Sequence, residues 1–252
     1  MSVKTPDSQG KFWDSMSEQT QPVAEALRLV ESLFSVTDIQ GRDVLDAGCG
    51  AGDFTLALQS LGARHVTAFD FSAGRMHELA RSNPSGSYAQ ASLSELPYTA
   101  ESFDLIWAWG VLHYVPDTRN ALKEIARTLR PGGCAIIHTL RKGFWSSLEL
   151  GSRNVLSRTP QRLQPLALNA GERVIPLMSR LMTGRSAAQQ TSKTIRQKLL
   201  ERLFVPTTLT TFSLPDLASG LGDWLEVQEV HPPVPDLFKR DMSITVIARK
   251  RA

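Results

Sequence analysis

Val44-Leu45-Asp46-Ala47-Gly48-Cys49-Gly50-Ala51-Gly52 decides the fold of this 252-residue chain. An apolar run ends in three alternating glycines, and a helical pattern follows at Asp53 to Leu61, with Phe54, Leu56, Leu58 and Leu61 as its apolar positions. A buried strand that turns through glycine into a helix lets the backbone approach a ligand closely. The helix start then offers unpaired N–H groups to it. The spacing separates the possible ligands. A dinucleotide fingerprint is G-x-G-x-x-G, but here the third glycine comes one residue early and Asp53 holds the expected place. A P-loop needs Gly-Lys-Ser/Thr, which is missing. Asp46, just ahead of the glycines, would repel a pyrophosphate and suits a ligand that carries positive charge.

Outward from this loop the pattern alternates. Asp43 to Cys49 reads as a strand, His65 to Asp70 as a second, Ser87 to Ala91 as a weak third, Phe103 to Trp109 as a fourth and Cys134 to Leu140 as a fifth. Helices are predicted at Asp53 to Leu61, at Ala73 to Arg81 behind Ser72, and at Asp117 to Leu129, where Ala121, Ile125 and Leu129 share a face. Pro131-Gly132-Gly133 reads as a turn. Strands alternating with helices at this spacing imply βαβ units, a parallel sheet and an α/β doubly wound fold. After Arg141 the alternation stops. Strand-like runs return at Trp224 to Val230 and Ser243 to Ala248, after a short helix near Leu214 to Leu221. The expected organisation is an N-terminal helical entry segment (1–40), a core (41–141), an inserted helical lid (142–205) and a C-terminal part of the core sheet (206–252).

Composition excludes several classes. Apolar residues make up 42% of the chain and charged residues 21%, a globular balance. No apolar run reaches the ~18 residues a membrane span needs. Met1 to Phe12 lacks the apolar core of a signal peptide. Two cysteines, Cys49 and Cys134, supply neither a disulfide framework nor a cysteine-rich zinc site, so no metal is expected and a reducing cytoplasm is. The net charge of +3 is unevenly spread: residues 142–205 hold 11 Lys+Arg against 3 Asp+Glu, whereas residues 1–141 hold 12 against 16.

With these residues in hand, D-x-G-x-G-x-G after a first strand resembles motif I of the class I S-adenosylmethionine (SAM)-dependent methyltransferases. The later motifs agree in order. Leu96-Pro97-Tyr98 resembles that family's turn after strand three. Ser102 to Ile106 and Gly110 to Val115 resemble the fourth-strand signature of the ubiquinone/menaquinone methyltransferase-like group (methyltransferase type 11 domain). Leu129 to Gly133 resembles the turn into strand five. The resemblance implies a Rossmann-like, seven-stranded sheet whose last strand is antiparallel. It implies SAM as cofactor and S-adenosylhomocysteine as product. It implies that Gly48, Cys49, Gly50 and Gly52 cradle the methionine part, that Asp46 organises that loop and faces the amino group, and that Asp70 holds the ribose. Phe71, next to Ser72, would pack on the adenine. Ser92 falls where the family often has an Asp for the adenine amino group, with Leu93 beside it for backbone contacts. Trp109 to Val111 would end strand four beside the cofactor, and Phe12 and Trp13 resemble an aromatic entry helix over the site.

Methyl transfer needs alignment above all, and a base only where the acceptor atom carries a proton. His113 after strand four and His138 near the end of strand five are the expected catalytic residues, because open α/β sheets bind ligands beyond the carboxyl ends of their strands. His231 and Tyr114 are weaker candidates. No G-x-S-x-G elbow exists for a hydrolase. The expected acceptor is a small molecule, and the basic insert points to an anionic acceptor, an acidic carrier protein or docking on an anionic membrane. No DNA partner is expected, since aromatics are not interleaved with the Arg and Lys. The alternatives are an RNA or protein methyltransferase, or a SAM-binding protein that turns SAM to other chemistry. The sequence sets no oligomeric state.

Overall fold

The computed structural model describes residues 23–143, 146, 147, 150, 151, 160–163, 166, 169, 170, 209–231 and 243–251. The chain divides into two compact units, residues 1–146 with 208–252 and residues 147–207. The first unit carries the sheet. Its elements are α1 (Val23–Leu33), α2 (Val36–Ile39), β1 (Asp43–Ala47), α3 (Asp53–Ser60), β2 (His65–Asp70), α4 (Ala73–Ser82), β3 (Ser87–Gln90), β4 (Phe103–Trp109), a 3-10 turn (Leu112–Tyr114), α5 (Thr118–Thr128), β5 (Leu129–Leu140), α6 (Leu214–Gly222), β6 (Leu225–His231) and β7 (Ser243–Lys250). The seven strands lie in the order β3-β2-β1-β4-β5-β7-β6. β7 runs antiparallel to both of its neighbours. The doubly wound sheet with an antiparallel last strand is therefore as the sequence implies. Among the described residues, no helix is long and apolar enough to cross a membrane.

Strand alternation separates two cores. On β4, Ile106 and Ala108 face one layer with Leu45, Ala47, Phe69, Leu93, Leu112 and Ile125. Leu105 and Trp107 face the other, with Val44, Leu58 and Ile136, and Trp109 packs against that layer. The order reverses between β1 and β4. The segments leaving those strands diverge there, and a crevice opens beyond their carboxyl ends.

One boundary differs from expectation. Pro131-Gly132-Gly133 does not end a turn before a separate strand. β5 begins at Leu129, and the register slips so that Phe103 pairs with Leu129 and Leu105 with Cys134. The bulge is held by distant donors: Arg249 Nη1 bonds the Gly132 carbonyl at 2.8 Å, and Lys250 Nζ bonds the Leu129 carbonyl at 2.8 Å. A turn motif thus becomes part of a strand because β7 satisfies its carbonyls.

At the opposite end of the strands, an ion cluster ties β1, β4 and β5. Arg130 Nη1 lies 2.9 Å from both Asp43 and Asp104, and Arg64 also bonds Asp43. The bond from Arg64, with help from Arg130, holds the Asp43 carboxyl at about 2. A carboxyl lowered in the fold stabilises it above its unfolded value of 3.8 and loses that contribution as pH falls through about 2. Arg130→Met should therefore raise the midpoint of acid unfolding, and at neutral pH cost about 1 kcal/mol, since the cluster is partly exposed. Circular dichroism during an acid titration checks this; an unmoved midpoint would contradict it.

Candidate functional site

The glycine loop is built by close packing. Gly48 sits at φ +71°, and a Cβ there would lie 2.7 Å from a Val111 methyl. Gly52, at φ +88°, would place a Cβ 2.4 Å from a Leu79 methyl. Both conformations and both contacts exclude a side chain. The loop is anchored to β2, since the Gly48 and Cys49 N–H groups donate to the Phe69 carbonyl at 2.9 and 3.0 Å. The Asp70 carboxylate continues this anchorage. Its Oδ2 accepts from the Gly50 N–H at 2.9 Å and its Oδ1 from the Ser72 N–H at 3.0 Å. Ser72 then caps α4, its hydroxyl accepting from the Arg75 N–H at 3.1 Å.

Behind the loop lies Asp46, which is 2% exposed. The Thr55 hydroxyl donates to it at 2.6 Å. Burial pushes its carboxyl up to about 7; Asp70 and Asp53 add to the effect, and the Thr55 bond opposes it. Ionisation there is costly unless a cation arrives.

A cavity of about 570 Å³ opens above the loop. Its wall includes Gly48, Gly50, Asp70, Phe71, Ser92 and Leu93, all of them expected from the sequence. It also includes Gly110 and Val111, expected beside the cofactor at the end of strand four, and residues the sequence reading passed over: Phe69, Arg75, Ala91, Ser94, Val115, Pro116 and Asp117; Tyr114, a weaker candidate, is part of it too. Arg75 had a readable signal. It stands in the first turn of α4, the helix that directly follows Asp70 and Phe71. Its Nη1 lies 3.2 Å from the position a Gly50 Cβ would take.

Several expected residues stand off this wall. Cys49 and Gly52 shape the loop, while Asp46 and Ser72 support it from behind. Trp109 stacks between Trp107, at 5.4 Å, and His138, at 3.9 Å with the rings 7° from parallel. The parity it shares with Trp107 directs it to the sheet face away from Ile106 and Ala108. His138 Nδ1 lies 2.8 Å from the Thr245 hydroxyl. His113 is buried, its Nδ1 3.4 Å from the Thr139 hydroxyl and its ring 4.2 Å from that of Tyr114. Neither histidine lines the cavity. His231 pairs with Glu229 on β6. Phe12 and Trp13 lie outside the described residues, as does most of the basic insert. No cluster of three or more metal-binding side chains occurs among the described residues.

Chemically, the wall offers a carboxylate at the end of β2, a guanidinium, backbone N–H groups and three aromatic rings, with a buried acid of raised pKa behind it. A zwitterionic ligand that has vicinal hydroxyls and a flat ring suits this set.

The methyltransferase domain family matches residues 45–137. The malonyl-[acyl-carrier protein] O-methyltransferase of Erwinia billingiae is 37% identical over 101 residues, which cover 40% of this chain and 40% of that relative. The chain thus spans about two fifths of the length of this group of curated relatives. The ubiquinone biosynthesis O-methyltransferase of Aromatoleum aromaticum is 32% identical over 161 residues, covering 60% of this chain and 67% of that relative. In fold, the chain resembles the 1,6-didemethyltoxoflavin-N1-methyltransferase of Burkholderia thailandensis, solved with 1,6-didemethyltoxoflavin and S-adenosylhomocysteine. The TM-score is 0.59 at 19% identity, over 100% of this chain and 93% of that one.

Proposed function

The chain belongs to the class I SAM-dependent methyltransferases, and we propose that it moves a methyl group from SAM to an oxygen, nitrogen or carbon atom of a small-molecule acceptor. The observation that carries this reading is the Asp70 carboxylate, held by the Gly50 and Ser72 N–H groups on the wall of a cavity floored by the glycine loop. Bound SAM supplies a methyl group on a sulfonium, transferred in line with release of a neutral thioether, so no acid is needed for the leaving group.

The residues present fit that cofactor. Gly48 and Gly50 leave the floor bare of side chains. Asp70 accepts from a ribose diol, Phe71 covers one face of the adenine, and Ser92 with the Leu93 backbone reads its edge. Arg75 answers the carboxylate of the amino-acid end. Val111, Tyr114, Val115 and Pro116 form the flank left for the acceptor. His113 stands behind that flank against Tyr114 and would influence transfer by orienting it, whereas His138 stacks on Trp109, off the cavity wall. The excess of Arg and Lys in residues 142–205 favours an acceptor that bears negative charge, reached without DNA. The buried free thiols of Cys49 and Cys134 support a reducing compartment, the cytoplasm.

The test is a screen of small acids, phenols, amines and natural-product scaffolds with methyl-labelled SAM, read by mass spectrometry. A methylated product supports the proposal. Label found only in RNA or protein would replace it with macromolecular methylation. If charge recruits the acceptor, raising salt should raise the acceptor KM several-fold and leave the SAM KM within about twofold.

Asp46 gives a pH prediction. A cationic ligand above the loop favours the ionised carboxylate, so below about pH 7 binding must first expel its proton. Affinity for SAM should therefore rise with pH up to about 7 and level off above it, by at most about tenfold per unit. Titration calorimetry from pH 5.5 to 8.5 (a range of ~3 units) measures it. Asp46→Asn should flatten the profile; a profile that is already flat in the native chain would contradict the coupling.

A further inference from the structure

One helix holds both flanks of the cavity. α5 carries Asn120, Glu124 and Arg127 at helical spacing, on the side of the segment from Ser94 to Tyr98. Asn120 Nδ2 donates to the Ser94 carbonyl at 2.5 Å. Glu124 Oε2 accepts from the Leu96 N–H at 2.9 Å. Arg127 donates to the Tyr98 carbonyl at 2.8 Å and to the Leu96 carbonyl at 3.2 Å. Glu124 and Arg127 are paired to each other at 2.7 Å, and this bond holds the Glu124 carboxyl below its usual range. The gripped segment begins where Ser92, Leu93 and Ser94 form the wall. At the other end of α5, the Asp117 cap accepts from the Asn120 N–H at 2.9 Å and joins Tyr114, Val115 and Pro116 in the opposite flank.

We propose that the Glu124–Arg127 pair is a positioning device for base recognition: by fixing the backbone at Leu96 and Tyr98, directly after the wall residues 92–94, from outside the cavity, it sets affinity and base selectivity for an adenosyl ligand. The inference rests on the proposed function. The side chain at position 92 is a hydroxyl that already accepts from the Ser94 N–H at 3.3 Å. Reading of the base edge is then left largely to backbone groups of residues 92–94, which have no rotamers to adjust. A backbone reader is only as selective as its position is fixed, and here Asn120 holds Ser94 while two charged side chains off the cavity wall hold the segment that follows at Leu96 and Tyr98.

The experiment compares calorimetric affinities for S-adenosylhomocysteine and for S-inosylhomocysteine, whose base carries oxygen in place of the exocyclic amino group. Glu124→Ala removes both the Leu96 acceptor and the Arg127 partner. It should weaken S-adenosylhomocysteine binding by about tenfold and S-inosylhomocysteine binding by much less, so that their ratio collapses. Glu124→Gln keeps an acceptor for Leu96 and should retain most of the ratio. Arg64→Ala, at the opposite end of the strands, lowers stability through the Asp43 cluster and should leave the ratio intact. A Glu124→Ala ratio equal to that of the native chain, or an equal loss in Arg64→Ala, would overturn the positioning role alone. Should Glu124→Ala fail to fold, Arg127→Ala carries the comparison: a ratio below native supports the role, and an unchanged one overturns it. A native chain that binds neither ligand would overturn the proposed function and this inference with it.

Discussion

Replacing residues 144–208 by a short turn is expected to abolish methylation of the native acceptor while leaving affinity for S-adenosylhomocysteine within about threefold. The sheet does not need the segment. All seven strands lie outside it, and its two ends are already joined: the Lys142 N–H donates to the Phe212 carbonyl at 2.7 Å, and the Phe212 N–H to the Leu140 carbonyl at 2.9 Å. A turn between them closes a ladder that exists. The cavity wall residues also lie outside the segment. What the deletion removes is a block with 11 basic residues against 3 acidic ones between 142 and 205, less Lys142. If that block recognises the acceptor and keeps water from the reaction, turnover falls below detection. The measurement is labelled methyl transfer beside calorimetry on the shortened chain. Full activity would make the block irrelevant to the chemistry, and loss of the folded sheet would make it part of the core.

Asp70→Ala is expected to weaken SAM binding about ten- to a hundredfold, because hydrogen bonds to a charged acceptor are each worth roughly 1.5–3 kcal/mol. The carboxylate also holds the glycine loop, through the Gly50 N–H at 2.9 Å. Asp70→Asn separates the two duties. The amide keeps an acceptor for one N–H and loses the charge offered to a diol, so its loss should fall between those of the native chain and the alanine variant. Thermal melting should move little in either, since Asp70 is only half-buried at the strand end. Equal affinity in all three chains would remove Asp70 from the site.

Much of this site was legible because it is local. The strand, the glycine loop, the helix and the acid 22 residues after Gly48 sit in one contiguous βαβ unit, where spacing maps directly to position. The far flank is different. Tyr114 to Asp117 reach the cavity through a 3-10 turn and a helix cap, and no periodicity announces either. Trp109 and His138 show how placing a residue at a strand end falls short. Trp109 ends β4 and His138 lies two residues before the end of β5, at the correct edge of the sheet, yet alternation directs Trp109 to the layer of Trp107, and His138 stacks upon it. The parity of Trp107, a plain core residue, was the available signal. The Leu129 to Gly133 segment misled for a related reason: its Gly132 and Leu129 carbonyls are satisfied by Arg249 and Lys250, more than 100 residues away.

The central claim is that this cavity takes an adenosyl sulfonium and its thioether product rather than a dinucleotide. Isothermal titration of the full chain with S-adenosylhomocysteine and, separately, with NAD tests it most directly. The account predicts saturable one-to-one binding of S-adenosylhomocysteine, displaced by SAM, and no heat of binding for NAD. Saturable binding of NAD together with silence toward both adenosyl ligands would contradict it.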